Sequence, residues 1–190
     1  MASLNRYERA LHAYLGRHGI PYCPVKETKR AIWDDEPLKN FDLVAYPAGD
    51  RQLLIDVKGR RTTAKRPYLE NWVTQDDLES LDRWQSLFGP GAAGLFVFAY
   101  ELSSGVREAF IDRQSFAERR YGYLGIGVDD YRRHARRRSP RWRTLSLPRA
   151  LFRECARPLS CWLTVDPAEP RRGDAVLADD SVQVSFKGTV

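Results

Sequence analysis

The run GLFVFAY at residues 94–100 constrains this chain most. A strand apolar on both sides is stable only in the middle of a sheet whose two faces are covered by other elements. Amphipathic helical patterns supply candidates for that cover. Leu4, Tyr7, Leu11, Tyr14 and Leu15 recur at helical spacing ahead of Gly19 and Pro21, which stop a helix. Leu78, Leu81, Trp84, Leu87 and Phe88 do the same after a capping box of Thr74 and Asp77, and end at Gly89 and Pro90. Between the two helices lie two β-rich runs, 41–46 and 52–59, joined by the turn residues Pro47, Ala48, Gly49, Asp50 and Arg51.

Further strands are expected at 109–111, 121–128 and 144–147, with helices at 130–138 and 148–156, while 21–40 reads as loop. The resulting class is α/β, a mixed central sheet flanked by helices. A chain of 190 residues with 43% apolar content can bury one sizeable core. The expected organisation is one domain over 1–159, its core at 4–100 and a basic extension at 101–159. Residues 160–190, rich in Asp, Pro, Gly and Ala, read as a loosely attached tail with one late strand near 182–186.

Lys and Arg number 31 against 25 Asp and Glu, a formal net charge of +6 carried mainly by arginine. That balance favours a polyanionic partner. The three cysteines, Cys23, Cys155 and Cys161, lack CxxC spacing, which argues against a disulfide framework or zinc knuckle. No signal-peptide pattern opens the chain and no apolar run is long enough to span a bilayer, so a cytoplasmic protein with no membrane partner is expected.

The hairpin FDLVAYPAGDRQLLIDVKGRR, residues 41–61, carries the chemistry. Strand alternation places Phe41, Leu43 and Ala45 with Leu53, Ile55 and Val57 on one face, and Asp42, Asp56 and Lys58 on the other. If Tyr46 pairs with Gln52, Asp42 lies opposite Asp56 at about 5 Å between Cβ atoms. Two carboxylates that close need a proton, a basic group or a cation between them. Lys58 answers part of the repulsion, and a hard divalent cation answers it more fully, because Mg²⁺ takes a few carboxylate oxygens and retains water. Such a metal-activated water beside an ammonium suits phosphodiester hydrolysis.

Asp42, thirteen intervening residues, then Asp56-Val57-Lys58 within LLIDVKG resembles the signature of the PD-(D/E)xK nuclease superfamily, which includes restriction endonucleases and Holliday-junction resolvases. The resemblance spans about residues 4–100. It implies a restriction-endonuclease-like αβββαβ core, although no separate strand before Phe41 is legible, and Asn40 stands where a proline often precedes the first acid. It implies Mg²⁺ or Mn²⁺ held by Asp42, Asp56 and the Val57 carbonyl, with Lys58 orienting the attacking water. Glu8 on the first helix corresponds to a further metal-site glutamate of some members, and Gln75 to an accessory glutamine or lysine. The implied partner is DNA, cleaved by a homodimer where both strands are cut. The opening RYERALHAYL also resembles the HYExAFE group through Tyr7, Glu8 and Ala10.

Each of these residues has a plainer reading. Acids and lysines alternate on solvated strand faces. Asn5 and Glu8 form a capping box, and Gln75 is a first-turn helix residue. The stretch YRRHARRRSPRWR, 131–143, holds seven arginines. On a helix, Arg132 with Arg136 and Arg133 with Arg137 would line one side and grip phosphates; the plainer alternative is a solvated helix end paired with Asp129 and Asp130. His134, like His12 and His18, reads as a surface residue. Arg60, Arg61, Lys65 and Arg66 lie just past the proposed metal site, where a loop would meet a substrate backbone. Tyr68 could stack on an unpaired base, while Trp72 and Trp84 read as core. The rival to a nuclease is a catalytically silent nucleic-acid-binding module of the same fold. Against it stands the intact acid-acid-lysine set, because carboxylates repel phosphate.

Overall fold

The computed structural model describes residues 4–26, 30–47, 49–62, 68–103 and 110–164. The elements in chain order are α1 (Arg6–Arg17), β1 (Tyr22–Pro24), β2 (Ala31–Trp33), β3 (Glu36–Leu38), β4 (Leu43–Ala45), β5 (Gln52–Arg61), β6 (Val73–Thr74), α2 (Gln75–Phe88) and β7 (Ala92–Leu102). There follow β8 (Arg113–Phe116), β9 (Arg119–Gly127), α3 (Val128–His134), β10 (Arg136–Ser139), β11 (Thr144–Ser146), α4 (Arg149–Cys155), β12 (Arg157–Pro158) and α5 (Ser160–Leu163).

β7 is the buried centre that its apolar run demands. It pairs in parallel with β5 and antiparallel with β9, inside a sheet ordered β1-β4-β5-β7-β9-β12, with β8 also on β9. Its side chains alternate between two cores. Phe96, Phe98 and Tyr100 pack with α2, α3 and α4 through Leu78, Leu81, Tyr131 and Phe152. Leu95, Val97 and Ala99 pack with α1 through Leu11, Tyr14 and Leu15. A fully buried side chain of this kind contributes about 1.5–3 kcal/mol, so this strand ties both layers together. The α2 crossover between β5 and β7 is what makes that pair parallel.

The order α1, β1, β4, β5, α2, β7 is the αβββαβ core, and the fold is restriction-endonuclease-like. Two expectations change here. The region 21–40 is not plain loop, because β1 pairs antiparallel with β4 and supplies the first core strand. Between them β2 and β3 form a hairpin over Asp34 and Asp35, both at positive φ, the primed turn that suits a two-residue connection. The second change concerns Phe41, which packs edge-on against Trp84 and Phe88 on the α2 side rather than beside Leu43.

Beyond β7, the expected strand at 109–111 is displaced. The strand is β8, and residue 109 lies outside the described part. The helix expected to run to 138 stops at His134, because Ala135 turns extended and β10 pairs with β11. α5 is docked, with Leu163 buried and Trp162 donating its indole N–H to the Gly125 carbonyl at 3.2 Å; the expected strand at 182–186 lies outside the described residues. His12 is half-buried against the Tyr22 ring at 4.7 Å rather than on the surface, and burial lowers its pKa. Among the described residues, no helix is long and apolar enough to cross a membrane.

Candidate active site

The hairpin register follows Leu43↔Ile55, Val44↔Leu54 and Ala45↔Leu53, the same register as a Tyr46–Gln52 pairing. The ladder breaks at Asp42. Its N–H donates to the Ile55 carbonyl at 2.9 Å, one residue short of the register, and its carboxylate Oδ2 accepts the Val57 N–H at 2.5 Å. That departure rotates Phe41 onto the α2 side. It also fixes the Asp42 carboxylate against the backbone of β5 beside Asp56.

Asp42 and Asp56 are both buried at 7% exposure, so this is not a solvated strand face. Lys58 points to the same side of β5 as Asp56, with its ammonium 5.9 Å from the Phe96 ring centre. Its Nζ lies 2.7 Å from Asp56 Oδ1 and 2.9 Å from Oδ2. It also lies 2.9 Å from Asp77 Oδ2. Asp77 in turn takes a second cation, Lys39, on its other oxygen, and closes the capping box by accepting the Thr74 N–H at 3.0 Å. The result is a chain of alternating charge, Asp56, Lys58, Asp77, Lys39, shielded from water as far as Asp77 and open to it at Lys39.

The two acids on Lys58 titrate in opposite directions. Burial holds the Asp56 carboxyl above its ordinary value; the Asp77 charge adds to this, and Lys58 opposes it. Burial would also raise Asp77, but Lys58, Lys39 and the Thr74 N–H together depress it well below the carboxylate range. Burial alone would lower Lys58; its two acidic neighbours overcome that and raise it. Lys58 is therefore an ammonium at neutral pH, suited to orienting water or stabilising negative charge and unsuited to acting as a base.

Other residues singled out from the sequence fall elsewhere. Glu8 is buried on α1 and engaged in the capping box with Asn5. Val57 faces the α1-side core. Gln75 donates to Glu79 at 2.6 Å on the exposed side of α2, a first-turn helix contact. Arg60 is not a surface cation: it is nine-tenths buried, donates to the Gly59 and Trp72 carbonyls and lies 4.0 Å from the Trp72 ring centre. Arg61 is exposed. Lys65 and Arg66 lie outside the described residues. Arg132 pairs with Asp82 at 3.0 Å and Asp129 at 3.7 Å, and Arg133 with Asp130 at 3.3 Å, as in the solvated-helix reading. Arg136 and Arg137 stand exposed on β10, so they are not one helical turn from Arg132 and Arg133. Asp77 was legible only as a helix cap; its ion pair with Lys58 depends on how α2 folds back on β5. Among the described residues, no group of three or more His, Cys, Asp or Glu forms a ready-made metal cage.

No family model and no curated protein matches the chain. A Holliday junction resolvase from Archaeoglobus fulgidus is similar in structure, with a TM-score of 0.48 and 18% identity, over 83% of this chain and 98% of that one.

Proposed function

We propose that this protein is a metal-dependent nuclease that hydrolyses DNA phosphodiester bonds. The observation that carries the reading is that Asp42 and Asp56 are buried, with the Lys58 side chain only 13% exposed beside Asp56, at the point where β4 leaves β5. Desolvating two acids and a lysine is costly, and packed apolar residues would stabilise the sheet at least as well. A charged set kept under that cost points to chemistry.

The donor set fits Mg²⁺ or Mn²⁺, ions that accept two carboxylates and complete their shell with water. Asp42 and Asp56 would be the ligands, with the Val57 carbonyl as a further candidate; Glu8 would join them, directly or through water, only by leaving its capping contact with Asn5. Bound there, the ion would lower the pKa of a retained water and neutralise charge on the phosphate. Lys58, an ammonium held between Asp56 and Asp77, would orient such a water and meet negative charge on the phosphoryl oxygens. Both Asp56 oxygens lie within reach of the Lys58 ammonium, so an ion there would compete with Lys58 for Asp56, while Asp77 would keep the ammonium in place. Arg61, Arg136 and Arg137 are the exposed arginines proposed to meet the DNA backbone, with Gln75 a minor accessory. Cutting both strands of a duplex would take a homodimer, working in the cytoplasm.

Supercoiled plasmid, single-stranded DNA and a four-way junction, each with Mg²⁺, Mn²⁺ or EDTA, test the reading. Metal-dependent cutting that Asp56→Ala and Lys58→Ala both abolish is the expected result. The same Lys58–Asp56 closure favours a second reading, a silent binding module in which Lys58 permanently occupies the ion's place. Salt-sensitive binding of all three DNAs with no cutting in any metal would establish that alternative.

A further inference from the structure

β4 covers β5 only as far as Ile55, whereas β5 continues to Arg61 with β7 on its other side. Among the described residues, the edge of β5 that β4 leaves uncovered borders a cavity of about 390 Å³ lined by Tyr7, Gly59, Arg60, Arg61, Tyr68, Glu70 and Trp72. Its volume lies in the range of small-ligand sites. It starts beside Lys58, and Arg61 is about 10 Å further along the strand.

The walls are aromatic and cationic except for Glu70, whose carboxylate lies 3.7 Å from the Arg138 guanidinium. Trp72 is already engaged, with the Arg60 guanidinium 4.0 Å and that of Arg138 5.4 Å from its ring centre. Tyr68 is different: Arg149 lies 5.0 Å from its ring centre, yet the residue remains 41% exposed. Among the described residues, the acid on Arg61 is Glu101 at 3.9 Å, which it shares with Arg6 and Arg119, and its side chain is 65% exposed. Arg60 is nine-tenths buried in the cavity wall, and its Nε–H has no acceptor among the described residues. An exposed ring, an exposed guanidinium and one buried donor, the Arg60 Nε–H, match a ligand with a flat π-face and acceptor oxygens.

We propose that this cavity holds one unpaired nucleotide of the substrate strand, its base on the exposed face of Tyr68 and its phosphate on Arg61. The proposal rests on the nuclease reading and narrows its substrate to DNA with an unpaired nucleotide next to the cut. A base within an intact duplex has both faces stacked and stays outside.

Binding is measured by fluorescence anisotropy in EDTA, where no metal-dependent cutting occurs. The probes are a labelled single strand, the same strand in a blunt duplex, and that duplex with one unpaired nucleotide. Tyr68→Ala is expected to weaken binding of the first and third probes at least about fivefold and to leave the blunt duplex unchanged, while Tyr68→Phe binds like the wild type. Arg61→Ala weakens all three. Equal loss on all three probes in Tyr68→Ala, or no loss on any, overturns the proposal. The two readings fail separately. Asp56-dependent cutting without Tyr68 discrimination removes only the nucleotide site, and Tyr68 discrimination without cutting in any metal removes only the nuclease.

Discussion

Asp77 takes part in two devices at once: it caps α2 and bridges Lys58 to Lys39. Asp77→Asn keeps the shape but leaves two lysines around Asp56 alone, and should cost about 3 kcal/mol at neutral pH by urea denaturation. Its pH dependence follows from the depressed pKa. Asp77 favours the folded state fully above its unfolded value, near about 3.9, and that contribution is lost as pH falls towards the lower folded value. The stability difference between wild type and Asp77→Asn should therefore shrink steadily below about pH 5; a constant difference down to pH 3 would contradict the assignment. At this scale the sequence was partly readable. Asp56 and Lys58 could be placed on one face of β5 by alternation, because strand period is local information. The bond from Val57 to Asp42 and the pairing of Lys58 with Asp77 could not, since each depends on a break in the ladder or on the docking of a helix.

The placement of α1 against β5 turns on a glycine. A methyl group on Gly59 would run into the Tyr7 ring, and Gly59 has an ordinary negative φ, so the constraint is close approach alone. Gly59→Ala should cost about 1–3 kcal/mol by overpacking, and Tyr7→Ala in the same chain should recover part of it; additive losses in the double variant would refute the contact. Long elements were legible because they repeat their pattern: α1, α2, β5 and β7 each carry enough residues for a period to show. Short ones were not. β1, β2 and β3 have three residues each, and the turns at Asp34-Asp35 and Ala117-Glu118 adopt positive φ without glycine, so the usual hairpin signal is missing. The run after Asp130 looked like one long helix because arginine is a good helix former. What ends it at His134 is β11, a later strand to which β10 pairs.

Over the whole molecule, the net charge of +6 has an uneven effect because many arginines already hold acids. DNA binding should weaken with salt, and Arg61→Ala should lower the slope of log affinity against log salt by about one unit. Arg132→Ala should change it little, since Arg132 spends its charge on Asp82 and Asp129; the opposite pattern would move the DNA path to α3. The overall class was readable from the buried strand, and the basic balance pointed to a polyanion, but no composition reveals which cations are already paired. The charge network itself is compact in sequence: Lys39 and Asp77 stand 38 residues apart, and Asp42, Asp56 and Lys58 lie between them. Phe96, which shields Lys58, and Tyr131, 5.2 Å from Phe96, come later in the chain. During synthesis every charge of the site therefore leaves the ribosome before its apolar cover, by about one to four seconds for Phe96. In that interval the acids and lysines sit in water with ordinary affinities for protons, and the shifted ionisation of Asp56 arises only when a strand that carries none of the network's charges closes over them.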